Sequence, residues 1–239
     1  MEHRVLVITT VSGFLWQFER NTVELLKKEG AEIYYASNFQ RPAYEFEESF
    51  FEENGIRTHH VPIEKLPWKI IRNLRALKRL TEIIRSEKID TVHCHNPVGG
   101  LLGRLAALLS GSRPAVIYTA HGFHFYKGAP VKNWLLYYTA ERLLARFTDA
   151  LVTINEEDEG WARSFRLKRG GRVFRIPGVG VDTRRYAPRP ELQKEARLRM
   201  GVREEEFCLL TAALLDLSLI HISETTRQAE ISHAVFCLK

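Results

Sequence analysis

The feature that most constrains this chain is a regular alternation, between Arg4 and Ile176, of short apolar runs with longer amphipathic stretches. Seven runs read as strands, at 4–10, 32–37, 58–63, 91–95, 115–120, 150–155 and 173–176. The intervening segments 17–29, 44–53, 68–86, 99–110, 131–146 and 156–165 carry helical periodicity, and Gly30, Gly55 and Gly111 stand where helices stop. Strands separated by helices form a parallel sheet, and near-continuous apolar strands mean that both faces of the sheet are covered. The expectation is an α/β fold, a Rossmann-like parallel sheet with helices on both faces, over residues 1–186.

After Tyr186 the texture changes. Ala187-Pro188-Arg189-Pro190 reads as a linker, followed by a charged helix, so that 187–206 joins two domains. Residues 207–216 read as the first strand of a second domain that is truncated. From about Leu217 the text (Ser218-Leu219-Ile220-His221-Ile222-Ser223-Glu224) is similar to a peptide that recurs at the ends of unrelated metagenomic proteins as translated adapter sequence. The expectation is that 217–239 is a non-native tail outside the fold.

Cys94, Cys208 and Cys237 have neither metal-ligand spacing nor a disulfide framework, which points to reduced thiols in a cytoplasmic protein. No apolar run is long enough for a signal peptide or a membrane span. The charge is concentrated: residues 65–88 hold eight Lys and Arg against Glu82 and Glu87, an excess equal to the net +6 of the whole chain. Within it, Ile70, Ile71, Leu74, Leu77, Leu80 and Ile84 form a stripe expected to pack on the sheet, leaving a cationic outer face. That face is either merely solvated or a dock for an anionic membrane surface. Recognition motifs for nucleic acid are missing, and the basic residues share one amphipathic helix, so no nucleic-acid partner is expected.

In an open parallel sheet, ligands bind beyond the carboxyl ends of the strands. The first such end, Thr9-Thr10-Val11-Ser12-Gly13, is neither G-x-G-x-x-G nor a P-loop. Gly13 is either a turn glycine or, with Ser12, a place where backbone N–H groups approach a phosphate. The fourth end reads His93-Cys94-His95-Asn96-Pro97. His93 and His95 share a strand face, but no third ligand has recognisable spacing, and no metal is expected. One histidine is expected inside, with His95 and Asn96 lining the cleft. The fifth end, Tyr118-Thr119-Ala120-His121-Gly122-Phe123-His124-Phe125, sets the imidazole of His121 at the cleft edge, followed by an aromatic loop. Phe123 and Phe125 suit either sugar faces or a satellite core. Asn155, before Glu156-Glu157-Asp158, reads first as a helix cap. Ile176-Pro177-Gly178-Val179-Gly180-Val181-Asp182 is a glycine-rich turn near the linker.

In this order, the segments 93–97, 118–125, Glu141-Arg142, Thr148-Asp149, 153–158 and 176–182 resemble the N-terminal, acceptor-side domain of family-4 glycosyltransferases of the GT-B fold. The resemblance is closest to bacterial capsule and exopolysaccharide enzymes and covers about Arg4 to Tyr186. It implies a retaining hexosyltransferase that moves sugar from a nucleotide-sugar co-substrate to a glycan or polyprenyl-diphosphate-linked acceptor, usually without metal or cofactor. It places Gly13 and Ser12 near the donor phosphates and His121, the catalytic candidate, on the transferred sugar. His95, Asn96, Gly122, Phe123 and Asn155 become substrate-binding candidates. The family's cations and carboxylates for the nucleotide belong to the C-terminal domain, so this chain alone is expected to be inactive. The expected location is cytoplasmic, peripheral on the inner membrane face. Two alternatives stand beside this one: a sugar-nucleotide epimerase of the same architecture, and a non-catalytic partner domain of a split transferase.

Overall fold

The computed structural model describes residues 3–40, 42, 44, 46–180, 183–184, 187–211 and 234–238, the last five and 209–211 as backbone only. The chain divides into two units, Met1–Gly180 and Val181–Lys239.

The first unit is built on seven strands: β1 (His3–Ile8), β2 (Ala31–Ser37), β3 (Arg57–His60), β4 (Thr91–His95), β5 (Ala115–Ala120), β6 (Ala150–Thr153) and β7 (Arg172–Arg175). Every pairing is parallel, in the order β3-β2-β1-β4-β5-β6-β7. Winding runs outward in both directions from β1 and β4, so the strand order reverses between them. This reversal opens a crevice beyond their carboxyl ends. The period of two divides β1 cleanly. Leu6 and Ile8 enter one apolar cluster with Leu80, Ile84 and Leu102, while Val5 and Val7 enter a second with Val23, Ile33 and Phe51. The sheet is therefore covered on both faces, as its continuous apolar strands predict.

The helices are α1 (Phe14–Phe18), α2 (Arg20–Lys28), α3 (Glu48–Glu53), α4 (Ile70–Ser86), α5 (Pro97–Ser110), α6 (Val131–Asn133), α7 (Thr139–Leu144) and α8 (Glu156–Ser164). Three differ instructively from expectation. The helix expected at 17–29 starts earlier and breaks at Glu19, whose backbone turns to φ −119°, ψ 20°. The helix expected at 131–146 is interrupted by a π-helical segment, Trp134–Tyr138. The wider turn sets Trp134 and Tyr138 together against Phe125 and Trp161.

The third difference is a correction. The stripe on α4 does not pack along its whole length. Asn73, Ala76, Leu80, Ile83 and Ile84 are buried, whereas Ile70, Ile71 and Leu74 are 62%, 70% and 58% exposed. Asn73 causes this: its side-chain oxygen accepts the Glu64 N–H and its amide donates to the Leu66 carbonyl, turning that polar side chain inward. Ile71 and Leu74 lie roughly 100° or more around the helix from it and face water.

Against the sheet, α5 approaches closely. A Cβ on Gly103 would stand 2.7 Å from the Cys94 Cβ, and one on Gly100 would enter the Tyr118 ring. Below lies a buried ion pair. Arg104 Nη2 sits 2.8 Å from Glu141 Oε2, an ion pair not aligned as a hydrogen bond. Arg104 Nε donates to the Gly100 carbonyl at 2.8 Å, and the guanidinium lies 4.0 Å above the Tyr118 ring. The Tyr118 hydroxyl donates to Glu141 at 3.0 Å, closing the network that joins α5, β5 and α7.

In the second unit, α9 (Gln193–Arg199) precedes β8 (Phe207–Thr211), which pairs antiparallel with β9 (Ala234–Leu238). The strand expected at 207–216 is present in its first half. Its partner is antiparallel rather than the parallel neighbour that a new Rossmann-like sheet implies. The rest of that strand, Asp182 of the glycine-rich turn, and most of the tail (212–233 and 239) lie outside the described residues. Among the described residues, no helix is long and apolar enough to cross a membrane.

Candidate functional site

At the carboxyl end of β1 the loop is fixed by a buried hydroxyl network. Thr9 Oγ1 donates to the Val11 carbonyl at 2.7 Å, and the Tyr35 hydroxyl donates to the Ser12 carbonyl at 2.8 Å. The two hydroxyls lie 2.7 Å apart, with Ser37 Oγ beside them at 3.1 Å from Thr9 Oγ1. Burial pushes the Tyr35 phenol up to about 12, so it stays a donor at any ordinary pH. Gly13 has an ordinary right-handed backbone, φ −73°, so its glycine is not required by conformation. The requirement is space: a Cβ there would stand 2.7 Å from the Tyr44 Cβ and 2.8 Å from its carbonyl carbon. Ser12 and Gly13 are both buried, and Ser12 Oγ has no partner among the described residues.

β4 delivers His93, His95 and Asn96. His93 Nε2 lies 2.9 Å from Thr119 Oγ1, and its ring centroid is 4.2 Å from that of His95. Burial, helped by the neighbouring His121, pushes His93 down to about 4. His95, expected on the cleft wall, is 0% exposed. It is an interior residue, and burial first, then His93 and His121, holds its imidazole far below the ordinary histidine range. It reaches the cleft only through neighbours: its Nδ1 lies 3.1 Å from His121 Nε2 and 3.6 Å from Glu19 Oε1. Asn96 does line the cleft. It has the rare combination φ 64°, ψ 158°, stands ahead of Pro97 at the start of α5 without a side-chain bond to that helix, and points its oxygen toward the Thr10 N–H at 3.5 Å.

β5 ends at Ala120, and His121 follows, half-buried. Its ring stacks on His95 at 5.4 Å and meets the Phe14 ring edge-on at 4.9 Å, one residue beyond Gly13. Burial lowers its pKa. Gly122 at φ 125° turns the chain in a way that no side chain tolerates well. Phe123, expected at substrate, is instead 7% exposed and stacks on Phe125 at 4.7 Å, in a cluster with Phe165. Phe123 and Phe125 belong to the main apolar cluster on that face of the sheet. Asn155 is likewise a cap: its oxygen accepts the Asp158 N–H and its amide donates to Asp158 Oδ2, both at 2.8 Å. Asp158 in turn accepts the Phe123 N–H at 3.1 Å, so α8 holds the loop that carries His121.

The ends of β1 and β4 and the loop after β5 frame a cleft of about 250 Å³, lined among others by Thr10, Phe14, Tyr44, Lys65, Asn96, His124 and Tyr137; His121, expected at its edge, is not in the lining and meets it through the Phe14 ring. Glu19 has no signal in the sequence, because it sits inside what reads as one continuous helix. The break between α1 and α2 turns its carboxylate inward, where burial raises its pKa and the Thr22 hydroxyl donates to it at 2.5 Å. One group of potential metal ligands occurs among the described residues: atoms of Glu19, His95 and His121 lie within 4.8 Å of one another. A metal-bound imidazole normally donates its second N–H to an outer partner. His95 Nε2 is buried with none, and the 3.1 Å nitrogen separation is itself a hydrogen bond. The arrangement is that of a hydrogen-bonded histidine pair with a carboxylate beside it at 3.6 Å.

The model for Glycosyltransferase Family 4 matches residues 18–185. The chain belongs to this family. It is 40% identical over 221 residues to "Putative glycosyltransferase EpsD" of Bacillus subtilis (strain 168), covering 91% of this chain and 55% of that one. It is 31% identical over 136 residues to the Escherichia coli UDP-Gal:alpha-D-GlcNAc-diphosphoundecaprenol alpha-1,3-galactosyltransferase, covering 57% of this chain and 35% of that protein. The chain thus spans about half, or less, of the curated relatives it matches. In fold it is similar to sucrose-phosphate synthase of Thermosynechococcus elongatus, with TM-score 0.61 at 14% identity over 86% of this chain and 54% of that one. Within the family match fall Glu19, His95, Asn96 and His121, while Ser12 and Gly13 precede it.

Proposed function

We propose that this family-4 chain is the acceptor-side half of a retaining, nucleotide-sugar-dependent glycosyltransferase that builds surface polysaccharide on a lipid-linked glycan. The observation that carries the reading is His121: a half-buried imidazole at the switch-point edge of the sheet, braced against Phe14 beside the β1 loop. In such a transfer, negative charge develops on the departing nucleoside diphosphate. Fixed donors around the sugar and phosphates stabilise it, and the leaving phosphate takes the acceptor proton. His121 touches the transferring sugar and Asn96 faces the acceptor side. Ser12 and Gly13 are buried, so their part is to hold the loop whose backbone faces the donor. Residues 187–206 link this unit to a donor domain that begins near Phe207, where β8 pairs with 234–238 of the segment expected to lie outside the fold. A lipid-linked acceptor is supported by the substrate named in the description of the E. coli relative.

The acceptor brings the enzyme to a membrane, and α4 supplies the means. Trp68, Ile70, Ile71 and Leu74 are exposed beside Lys65, Lys69, Arg75 and Lys78, an apolar tip ringed by cations. This supports peripheral attachment to an anionic inner leaflet. The test is the full-length parent enzyme with candidate nucleotide sugars and a polyprenyl-diphosphate-linked acceptor. Acceptor-dependent release of nucleoside diphosphate, reduced by about 10²–10³-fold in His121→Ala, supports the reading; turnover of the sugar nucleotide without acceptor identifies an epimerase and refutes it. Co-sedimentation with vesicles checks the docking, and binding indifferent to anionic lipid and salt refutes that part.

A further inference from the structure

We propose that His95 and Glu19 are positioning residues that fix the tautomer of His121, with its proton on Nδ1. The inference rests on the reading of His121 as the donor to the transferring sugar, and it deepens that reading.

His95 Nε2 is buried without a hydrogen-bond partner. A neutral imidazole carries its proton on one nitrogen only. If that were Nε2, the interior would hold an orphaned N–H, which folded proteins rarely leave unpaired. With the proton on Nδ1, the orphan is a bare lone pair, and the donor has two acceptors to face. His121 Nε2 lies 3.1 Å from His95 Nδ1, and Glu19 Oε1 lies 3.6 Å from it. A carboxylate oxygen favours an N–H on that nitrogen and disfavours a lone pair there. At 3.6 Å it is too distant to donate a hydrogen bond of its own, and its partner oxygen is occupied by Thr22. Both considerations place the proton on His95 Nδ1, donating to His121 Nε2.

The consequence passes along the chain of contacts. Once His121 Nε2 accepts, the proton of that ring must sit on Nδ1, which has no partner among the described residues. His121 therefore meets substrate as a donor through Nδ1 only. The helix break at Glu19 acquires a purpose, since a continuous helix would not turn this carboxylate onto β4. His93 is locked separately by Thr119 and takes no part in the relay.

The test is two-dimensional nitrogen–proton correlation of imidazole signals in the full chain labelled with 15N-histidine, with His121→Gln used to assign His121. The expected spectrum shows a bare-type Nε2 and a protonated-type Nδ1 for His121, and the reverse placement or rapid tautomer exchange overturns the proposal. His95→Asn keeps a donor at the Nδ1 position and preserves this pattern, whereas His95→Leu turns His121 into a tautomer mixture. Should His95→Leu fail to fold, Glu19→Gln replaces it, with a shifted His121 Nε2 signal expected and an unmoved one overturning the role of Glu19. In the full-length enzyme, His95→Leu lowers kcat by about 10²-fold with little change in the donor KM, and His95→Asn restores much of it. Because the spectrum needs no turnover, a correct tautomer with no transferase activity sinks the functional reading alone.

Discussion

Replacing Glu141 by alanine removes the counter-ion of a guanidinium that is 1% exposed. Arg104 then keeps its bond to the Gly100 carbonyl and its place over the Tyr118 ring, but neither is an anion. The Tyr118 hydroxyl also loses its acceptor. Breaking a buried pair by deleting one partner costs about 3–5 kcal/mol, because the surviving charge is uncompensated. At about 2–4 °C per kcal/mol for a unit of this size, the thermal midpoint should fall by roughly 6–20 °C. The assay is a circular-dichroism melt at neutral pH, with Glu159→Ala as comparison. Glu159 pairs with Arg163 at 2.7 Å and with Arg175 at 3.1 Å on the surface, where each such pair is worth about 0–1 kcal/mol. Adding Arg104→Met and Tyr118→Phe to Glu141→Leu removes charge and hydroxyl together, and should recover most of the lost stability. A Glu141→Ala melt within about 2 °C of the parent would refute the reasoning, since Arg104 would then have found water or another acceptor.

Two glycines should respond with opposite signs in the same assay. Gly13→Ala drives a methyl into the Tyr44 backbone and should cost about 1–3 kcal/mol, whereas Gly160, inside α8 with nothing within 4 Å, should gain up to about 1 kcal/mol as alanine. Acid should destabilise the first unit in a defined window. His93 is held neutral in the fold and titrates near 4, against 6.5 when unfolded, so the unfolded chain binds the extra proton first. Stability is then intact above about 6.5 and declines as pH falls toward about 4; His93→Gln should flatten that decline in melts taken across the range. Asn155→Ala should lower stability by about 1 kcal/mol through the lost cap, with protease nicking at 121–128 reporting the loosened loop. In the full-length enzyme, His121→Ala should reduce turnover by about 10²–10³-fold, measured as nucleoside diphosphate released.

The sheet was legible in the sequence because its signal is local and repeated. A strand buried on both faces must be apolar throughout, and a covering helix must show its stripe, so seven strands and their order of appearance could be read residue by residue. The strand-end rule then pointed to Gly13, Asn96 and His121 without any knowledge of contacts. Other features were not legible, since they depend on what lies across the fold. Phe123 carries the same ring whether it meets sugar or core, and only packing against Phe125 and Phe165 sends it inward. His95 and Asn96 are neighbours in sequence, yet the strand buries one and the positive-φ turn after it brings the other to the cleft. The α4 stripe looked uniform, but Asn73, bonded to the 64–66 segment, took the inward place and left Ile71 and Leu74 in water.

Sequence by itself thus determined the class of fold, its covered parallel sheet and the edge at which a ligand must bind, because hydrophobic period and chain direction are written in consecutive residues. Only the tertiary structure decided which polar groups meet there. Glu19, His95 and His121 are separated by 76 and 26 positions, and no periodicity encodes a contact among them. They come together because a helix breaks at one residue while two parallel strands end side by side.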